Sequence, residues 1–481
     1  MTDLGLSDNL MNKVKRLTVA LLCLAAAPCW GQSAGDESQA DTAATDAEQT
    51  TGLQADDSRW DLQRCIDYAL EQNLSIRRDR LSAQSTEEDL KTARAALFPS
   101  LSANVGQRLV NRPNSSTGTI VNGDDIVSSQ SKTSYNGSYG IDLNWTLYNG
   151  GQRLNTIRQE TLNSRIARLA VDESANSIEE SIMQTYVQIL YAAEAVKTNE
   201  GTLEVSRAEY ERGRQLMEAG SLSKVDLAQL ESQVSTDNYQ LVTAQATLQD
   251  YKLQLKQLLE LDGETEMDLY LPVPSDEAVL SPLPNKNDVY QAALGLRPEI
   301  ESGRLNLEAS ELELKIARSG YIPSLSLSAG IGSSNANGSD FTFGEQIKQN
   351  WNNSVGITVS IPIVSNRQTK NAVQKAKLQR LSSQLDLQDQ QKTLYKTIED
   401  IWLDANSAQQ QYVAAARRVE STRTSYELLQ EQFRLGMKNT VDLLTVKNNY
   451  LAAQQEMLQA KYMALLSVQL LRFYQGEEAN L

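Results

Sequence analysis

One stretch of this chain occurs twice, and the repetition constrains the fold more than any other feature. Residues 214–227 and residues 430–443 each place a glycine six residues before an aspartate, inside a Val-Asp-Leu triplet. Each copy lies between long, proline-free segments with helical periodicity. A glycine that ends one helix, followed by a polar residue that starts the next, is typical of a tight interhelical turn. The chain is therefore predicted to be duplicated, with one helical hairpin in each half.

The segments around the two turns predict helices of unequal length. Residues 151–218 contain no proline, which predicts one helix of about 68 residues, roughly 100 Å long. A second long helix is expected over about 366–434. Shorter helices are expected over about 61–97 and from Ser223 to about residue 261. The helix after each turn carries an apolar heptad typical of coiled-coil packing. At about 1.5 Å per residue, two shorter helices placed end to end match one long helix.

Each half also contains two segments in which apolar and polar residues alternate. They cover about 100–105 with 135–147 in the first half, and 325–331 with 355–363 in the second. This alternation predicts four strands, each with one apolar and one polar face.

The predicted strands suit an outer-membrane barrel. They are long enough to cross the hydrocarbon layer when tilted. Four strands cannot close a barrel, which needs about eight, so the sequence predicts an oligomer that shares one barrel. A soluble sheet with one face on a core is the alternative. Aromatic residues expected at the membrane interface lie at or near the strand ends: Tyr135, Tyr139, Trp145, Tyr148 and Trp351.

Composition argues against several classes of function. The formal net charge is −16 and the sequence pI is about 4.7, which disfavours a nucleic-acid partner. The chain has no histidine, the commonest general base and metal ligand, so an enzyme is disfavoured and no cofactor is expected. Cys65 is the one cysteine outside the N-terminal leader region, so no disulfide framework is expected.

The N-terminus resembles a secretory signal. A basic start at residues 11–16 precedes an apolar run at 17–27, and Met11 is the expected start codon. Lipidation at Cys29 is an alternative. The predicted organisation is a signal peptide at 1–31, a disordered acidic tether at 32–59, a first repeat at 60–261, a connector at 262–287, a second repeat at 288–474 and a tail at 475–481.

Taken in order, these features resemble the TolC family of outer-membrane efflux and secretion channels. The motifs that carry the resemblance are the opening helix at 65–70 with Asn73, Phe98-Pro99-Ser100-Leu101 before the first strand, residues 147–151 after the second strand, and the two Gly…Val-Asp-Leu turns.

The resemblance implies an α+β membrane protein that works as a homotrimer. Three chains would form a twelve-stranded β-barrel in the outer membrane of a Gram-negative bacterium and a twelve-helix periplasmic α-barrel. Such a duct belongs to a tripartite efflux or type I secretion system. Its expected partners are outer-membrane lipid, a periplasmic adaptor (membrane fusion) protein and an inner-membrane pump of the RND or ABC type.

The same resemblance places a gate at the two turns. Asp442 matches the family's first constricting aspartate, and Thr445 stands in place of the second. Lys438 replaces an arginine that ties neighbouring hairpins, and Asp226 is its expected partner. Phe433 replaces a tyrosine and so lacks the hydroxyl of a second link. Three Asp442 carboxylates around a narrow axis would favour cations and invite block by a multivalent cation.

Both aspartates also have a purely structural explanation. Each is expected in the first turn of a helix, where a negative charge interacts favourably with the helix dipole. The sequence leaves both explanations open for Asp226 and favours the gate for Asp442.

The exposed end of the tunnel is the expected adaptor contact, because paired hairpin ends offer small grooves for partner helices. The residues expected there are Gly220, Ser221, Leu222, Gly436, Met437 and Lys438.

A secreted coiled-coil stalk or adhesin is the competing interpretation. It explains the heptads, but it does not explain four two-faced strands that occur as a duplicated pair.

Overall fold

The computed structural model describes residues 59–111, 113, 120–122, 125–127, 133–262, 267–337 and 341–477. The predicted signal peptide, the tether before Arg59 and the end of the tail lie outside these residues. The elements in chain order are α1 (Leu62–Gln72), α2 (Leu74–Ala95), β1 (Ser100–Asn111), β2 (Ile120–Asn122), β3 (Asp125–Val127), β4 (Thr133–Asn149), α3 (Gln152–Glu218), α4 (Lys224–Leu258), α5 (Asp276–Val279), α6 (Lys286–Leu296), α7 (Pro298–Ser319), β5 (Ser324–Ala336), α8 (Phe343–Gln349), β6 (Asn352–Ser360), α9 (Gln368–Arg434) and α10 (Thr440–Gln475).

The two predicted hairpins are confirmed. The first consists of α3 and α4 and the second of α9 and α10. Both long helices have 67 residues, and the helices that return from the turns have 35 and 36 residues. The duplication visible in the sequence is therefore a duplication of structure.

The prediction of one helix over 61–97 is wrong, because the chain breaks at Asn73 into α1 and α2. The Asn73 side chain accepts a hydrogen bond from the Ser75 N–H at 2.9 Å and donates one to the Leu258 carbonyl at 3.0 Å. An asparagine that bonds backbone groups in this way competes with the helix and favours a cap. Because Leu258 ends α4, the break places α2 end to end with α4.

The second half of the chain contains an equivalent break between two helices, formed by different residues. Arg297 separates α6 from α7, and Pro298 occupies the first position of α7, where its missing N–H costs nothing. The Arg297 guanidinium lies 4.4 Å from the Phe473 ring centroid and 3.8 Å from that of Tyr474. Since both rings belong to the last turn of α10, α7 continues α10 as α2 continues α4.

The helices lie side by side in a definite order. The stacked pair α2 and α4 packs along one side of α3, and the stacked pair α7 and α10 packs between α3 and α9. One chain thus presents two outer edges, the α2/α4 edge and the α9 edge.

The sheet is antiparallel and has the order β1-β4-β5-β6. Its register aligns Leu101, Leu143, Ala329 and Val355 in one row across the four strands. This alignment confirms that the apolar positions share a face. The strand expected to reach residue 363 ends at Ser360, because Pro362 has no N–H to continue the ladder.

The largest apolar core surrounds the middle of α3, where α1, α6 and the end of α10 meet. Trp60 packs against this core. Its backbone N–H donates a hydrogen bond to the Asp268 carbonyl of the connector at 2.7 Å. Among the described residues, no helix is both long enough and apolar enough to cross a membrane.

Candidate functional site

The candidate site is the pair of turns at the ends of the hairpins, which have the same backbone structure. Gly220 and Gly436 adopt φ values of +76° and +74°, a region that favours glycine. In the first turn, the Ser221 N–H bonds the Leu216 carbonyl at 2.8 Å. In the second, the Met437 N–H bonds the Gln432 carbonyl at 2.9 Å. Both turns are therefore Schellman motifs, which end α3 and α9 sharply.

The residue that starts the next helix is also equivalent in the two turns. Ser223 Oγ accepts a hydrogen bond from the Asp226 N–H at 3.1 Å, and Asn439 Oδ1 accepts one from the Asp442 N–H at 2.7 Å. Both aspartates thus lie in the first turn of their helix, where the helix dipole stabilises a carboxylate. The Ser223 hydroxyl additionally donates to Asp226 Oδ2 at 2.6 Å.

Lys438 has a different partner within its own chain from the one that the sequence predicts. Its Nζ lies 3.6 Å from Asp442 Oδ2, and both side chains are more than two-fifths exposed. A pair between Lys438 and Asp226 does not form within one described chain, and a pair between copies stays a prediction. The observed exposed pair contributes at most about 1 kcal/mol.

Two other residues that were predicted to form the gate make contacts within their own chain. The Thr445 hydroxyl donates to the Val441 carbonyl of its own helix at 2.8 Å. Phe433 is buried, 7% exposed, in an apolar cluster with Tyr426 and Leu443. Phe433 therefore stabilises the inside of the tip, because a phenyl ring has no hydroxyl with which to form a link at the surface.

Most residues of the expected adaptor contact are at the surface. Gly220, Ser221, Gly436 and Lys438 are exposed, and Met437 is 70% exposed. Leu222 differs from the prediction, since it is half-buried and packs against the cluster that contains Phe433. Three further apolar side chains are exposed beside these residues: Val225, Leu435 and Val441.

A buried ionic cluster lies behind the tips, and the sequence analysis missed it. Lys447 Nζ lies 3.1 Å from Glu209 Oε2 and 3.5 Å from Asp237 Oδ2, and it donates a hydrogen bond to Ser206 Oγ. The lysine side chain is 2% exposed. The three ionic groups come from α10, α3 and α4, so the cluster joins the first hairpin to the second.

The cluster is completed by neutral hydrogen-bond donors. Tyr426 donates its hydroxyl to Glu209 Oε1 at 2.6 Å, Gln430 donates to the same oxygen at 3.1 Å, and Gln233 donates to Asp237 Oδ1 at 2.8 Å. Burial, with Glu209 beside it, raises the pKa of Tyr426, so its hydroxyl stays protonated. Every carboxylate oxygen of the cluster therefore has a donor, as buried charges require.

One signal in the sequence marks this cluster. The second apolar seam of α4 runs through Leu230, Ala244, Tyr251 and Leu258 at multiples of seven residues, and Asp237 occupies the missing place. A charged residue at a seam position needs a buried partner of opposite charge.

The aromatic residues expected at the membrane interface lie at the sheet, with one difference in position. Tyr135 and Trp145 are each 36% exposed, Tyr148 is 49% exposed, and Trp351 is 59% exposed just before β6. Trp145 donates its indole N–H to the Leu97 carbonyl at 2.8 Å, at the junction between sheet and helices.

Tyr139 was expected near a strand end, but it lies well inside the 17-residue strand β4. Its hydroxyl donates to Asn335 Oδ1 at 3.2 Å and accepts a hydrogen bond from Gln107. Its ring meets Phe343 of α8 edge-on, with centroids 6.1 Å apart. Tyr139 therefore lies beside a polar row of the sheet formed by Gln107, Gly137 and Asn335, and the same face continues beyond this row to Leu109 and Tyr135.

The chain is similar in sequence and in structure to known outer membrane proteins. Residues 65–260 and 289–477 match the family described as outer membrane efflux protein. The alkaline protease secretion protein AprF of Pseudomonas aeruginosa is 24% identical over 313 residues, which span 62% of each chain, just under two-thirds of that relative. The outer membrane efflux protein BepC of Brucella suis is 22% identical over 328 residues, covering 68% of this chain and 69% of that one. The CmeC outer membrane channel of Campylobacter jejuni has the same fold, with a TM-score of 0.72 at 18% identity over 87% of both chains.

Proposed function

Because this chain belongs to the outer membrane efflux protein family, we propose that it forms the outer-membrane exit duct of a tripartite efflux or type I secretion system. The duct is a homotrimer and a passive channel. It opens at the hairpin tips when a periplasmic adaptor docks there, together with an inner-membrane pump of the RND or ABC type.

The observation that carries the proposal is the sheet, whose apolar face is largely uncovered. Leu101 and Val105 on β1 are 70% and 61% exposed, and Val355 and Ile357 on β6 are 78% and 67% exposed. A soluble protein buries such a face against a core. Lipid accounts for the exposure, since a hydrocarbon layer is the medium that an apolar outer face needs.

The sheet edges support three copies. In the described part of the chain, β1 and β6 each have one neighbour in the sheet. A sheet in lipid cannot leave its edges unpaired, so β6 of one copy pairs with β1 of the next. Three sheets of four strands give the twelve-stranded barrel that the family resemblance implies.

The helices support the same arrangement. The α9 edge exposes Leu378, Leu381 and Leu385, and the α2/α4 edge exposes Leu81, Tyr239 and Val242. These two apolar edges lie on opposite sides of one chain, as head-to-tail assembly into a closed ring requires. Ring closure buries both edges and leaves the polar faces toward water.

The proposed membrane layer matches the aromatic positions. From Tyr139 to Leu147 the apolar face of β4 extends about 26 Å along the strand. The nine residues of this stretch match the roughly 9–11 that a strand tilted by about 45° needs to cross the hydrocarbon layer. Tyr139 then belongs to one interface, and Trp145 and Tyr148 to the other.

The gate is placed at Asp442 and Lys438, and the adaptor contact at the exposed tip residues around Gly220 and Met437. Lys438 and Asp442 carry opposite charges on a surface exposed at the tip, where neighbouring copies would meet. Exposed apolar side chains there, Met437 and Leu435 above all, suit an adaptor helix that docks into a groove.

Single-channel conductance in planar bilayers tests the proposal. The wild type is compared with the double variant Lys438→Ala, Asp442→Ala. We expect small, flickering, cation-preferring wild-type currents that rise sharply in the double variant. Stable large currents that both proteins share would place the gate elsewhere. Detergent-purified protein that never conducts would favour the coiled-coil stalk instead.

A further inference from the structure

Four basic side chains form a patch beside the sheet. Arg158 and Arg165 are seven residues apart near the start of α3, and Lys315 and Arg318 are three residues apart near the end of α7. These spacings place each pair on one face of its helix. The two helices pack against each other there, through Leu162 of α3 and a cluster of α7 residues. Together, Arg158, Arg165, Lys315 and Arg318 form a basic collar.

The basic collar has no neutralising partner in the described part of the chain. All four side chains are exposed, and none has a carboxylate within ion-pair distance there. Two basic residues nearby do have one, since Arg168 pairs with Glu87 and Arg380 lies 3.7 Å from Glu311. The chain as a whole is acidic, with a net charge of −16. A group of four positive charges without a carboxylate partner is therefore unexpected.

Helix stability does not explain the cations on α3. Both arginines lie beyond the first turn of α3, which begins at Gln152, so the helix dipole does not stabilise them. The side chains of a helix also lean toward its N-terminus. Arg158 and Arg165 therefore lean toward the sheet, about 9 and 20 Å from the start of the helix.

The basic collar lies on the same side of the helices as the connector. Arg165 and Leu190 are 25 residues apart, about seven turns, and Arg318 and Ile300 are 18 residues apart, about five turns. Leu190 lines a cavity together with Leu271 and Val273 of the connector, and Ile300 belongs to the core cluster that contains Leu269. A connector inside the duct would block it. If the protein is the proposed duct, on which this inference rests, the connector and the collar both lie on its outer surface.

Apolar side chains lie between the collar and the sheet. Leu154, which is one turn before Arg158 on the same face, is 57% exposed. At the end of α7, Tyr321 and Ile322 are 55% and 42% exposed. An apolar rim followed by a ring of cations is the pattern of a surface that enters the interface of a membrane.

Trimer assembly leaves the collar accessible. The main neighbours of α3 are α1, α2, α4, α7 and α10, and those of α7 are α3, α6 and α9. All of them belong to the same chain, so no second copy is needed to complete this surface.

We propose that the basic collar binds the anionic phospholipid headgroups of the periplasmic leaflet of the outer membrane. Headgroup phosphates lie just beyond the hydrocarbon edge, near the level of Arg158, Lys315 and Arg318. Arg165 lies about 11 Å farther along α3, about one Debye length away, and adds to the positive potential there. Clusters of lysine and arginine next to a membrane segment attract anionic lipid in this way, within about one Debye length of the surface. The contact fixes the depth at which the barrel sits.

Lipid selectivity at the protein surface tests the proposal. The full-length trimer is placed in phosphatidylcholine vesicles, and spin-labelled phosphatidylglycerol reports its association relative to spin-labelled phosphatidylcholine. We expect a preference for phosphatidylglycerol of about threefold or more in the wild type. The variant Arg158→Gln, Arg165→Gln, Lys315→Gln, Arg318→Gln is expected to lower it to about one. High salt is expected to weaken it as well.

A matched variant removes the same number of charges far from the sheet. Arg207→Gln, Arg212→Gln, Lys396→Gln, Arg417→Gln changes four exposed residues of the long helices and is expected to retain the preference. Equal preferences in the wild type and the collar variant would overturn the proposal. Conductance measured on the same preparations shows whether only the lipid-binding proposal fails or the proposed duct function fails as well. A trimer that conducts without lipid preference refutes only the collar, whereas a protein that never enters the bilayer refutes the duct.

Discussion

Lys447 Nζ lies 3.1 Å from Glu209 Oε2, and this contact joins the second hairpin to the first inside the protein. The two side chains are only 2% and 9% exposed. A buried ion pair adds little stability over an apolar pair of the same shape. Removing one member is costly, however, because the other charge is left without a partner in a medium that cannot solvate it.

We therefore expect Lys447→Met to destabilise the protein by about 3–5 kcal/mol, since it leaves Glu209 and Asp237 uncompensated. The matched control is Lys438→Met, which removes an exposed pair nine residues away on the same side of the turn. The control is expected to cost less than about 1 kcal/mol. The midpoint of urea unfolding in detergent, followed by circular dichroism, measures both.

A triple variant separates charge from packing at this cluster. Lys447→Met, Glu209→Gln, Asp237→Asn keeps the side-chain shapes and removes all three charges, so it is expected to recover much of the lost stability. A triple variant as unstable as Lys447→Met alone would contradict the electrostatic account.

The turn glycines should respond to alanine in the opposite way from a helical glycine. Gly436 has φ +74° and open space around its Cα, so Gly436→Ala adds strain without a steric clash and should cost about 1 kcal/mol. Gly201 lies in the interior of α3, about three-quarters of the way along it, and also has open space around it. Gly201→Ala should therefore stabilise the protein by about 0.5–1 kcal/mol. Thermal unfolding midpoints that move in the same direction for both variants would contradict this assignment.

The sequence predicts those parts of the structure that depend on neighbouring residues. The glycine at each turn and the cap at Ser223 are local signals, so the hairpins and their helix lengths could be placed. The alternation along β1 and β4 is also local, and it gave the two faces of the sheet.

Contacts between distant residues could not be placed in the same way. Asn73 breaks the first helix because it bonds Leu258, 185 residues away, and nothing near Asn73 in the sequence reports that partner. Lys447 and Glu209 are 238 residues apart. Leu222 was expected at the surface because it lies in a turn, but the second hairpin covers it.

The Cys65 thiol should be unreactive in the folded protein. It is fully buried, and burial raises its pKa to about 12, with Asp61 adding to the effect. At pH 8.5, where an ordinary thiol is about half ionised, Cys65 remains protonated and inaccessible. Its reactivity toward a thiol reagent is therefore expected to appear only on unfolding.

The matched control for that measurement introduces a cysteine at the tip. In a chain that carries Cys23→Ser and Cys29→Ser, Cys65 is compared with Ser221→Cys, which changes an exposed residue. The tip cysteine should react at once in the folded protein. Similar rates for Cys65 and the tip cysteine would show that the core around α1 opens readily.

The two aspartates provide a sharp test of the gate, because they have the same local environment. Both follow an N-cap that bonds their backbone N–H, so Asp226→Asn and Asp442→Asn remove the same helix-dipole interaction of about 0.3–1 kcal/mol. If Asp442 lines the narrow axis, only Asp442→Asn lowers cation selectivity and relieves block by a trivalent cation in planar bilayers, since three carboxylates are lost from one ring. Equal changes in both variants would instead favour the structural explanation, in which each aspartate serves its own helix.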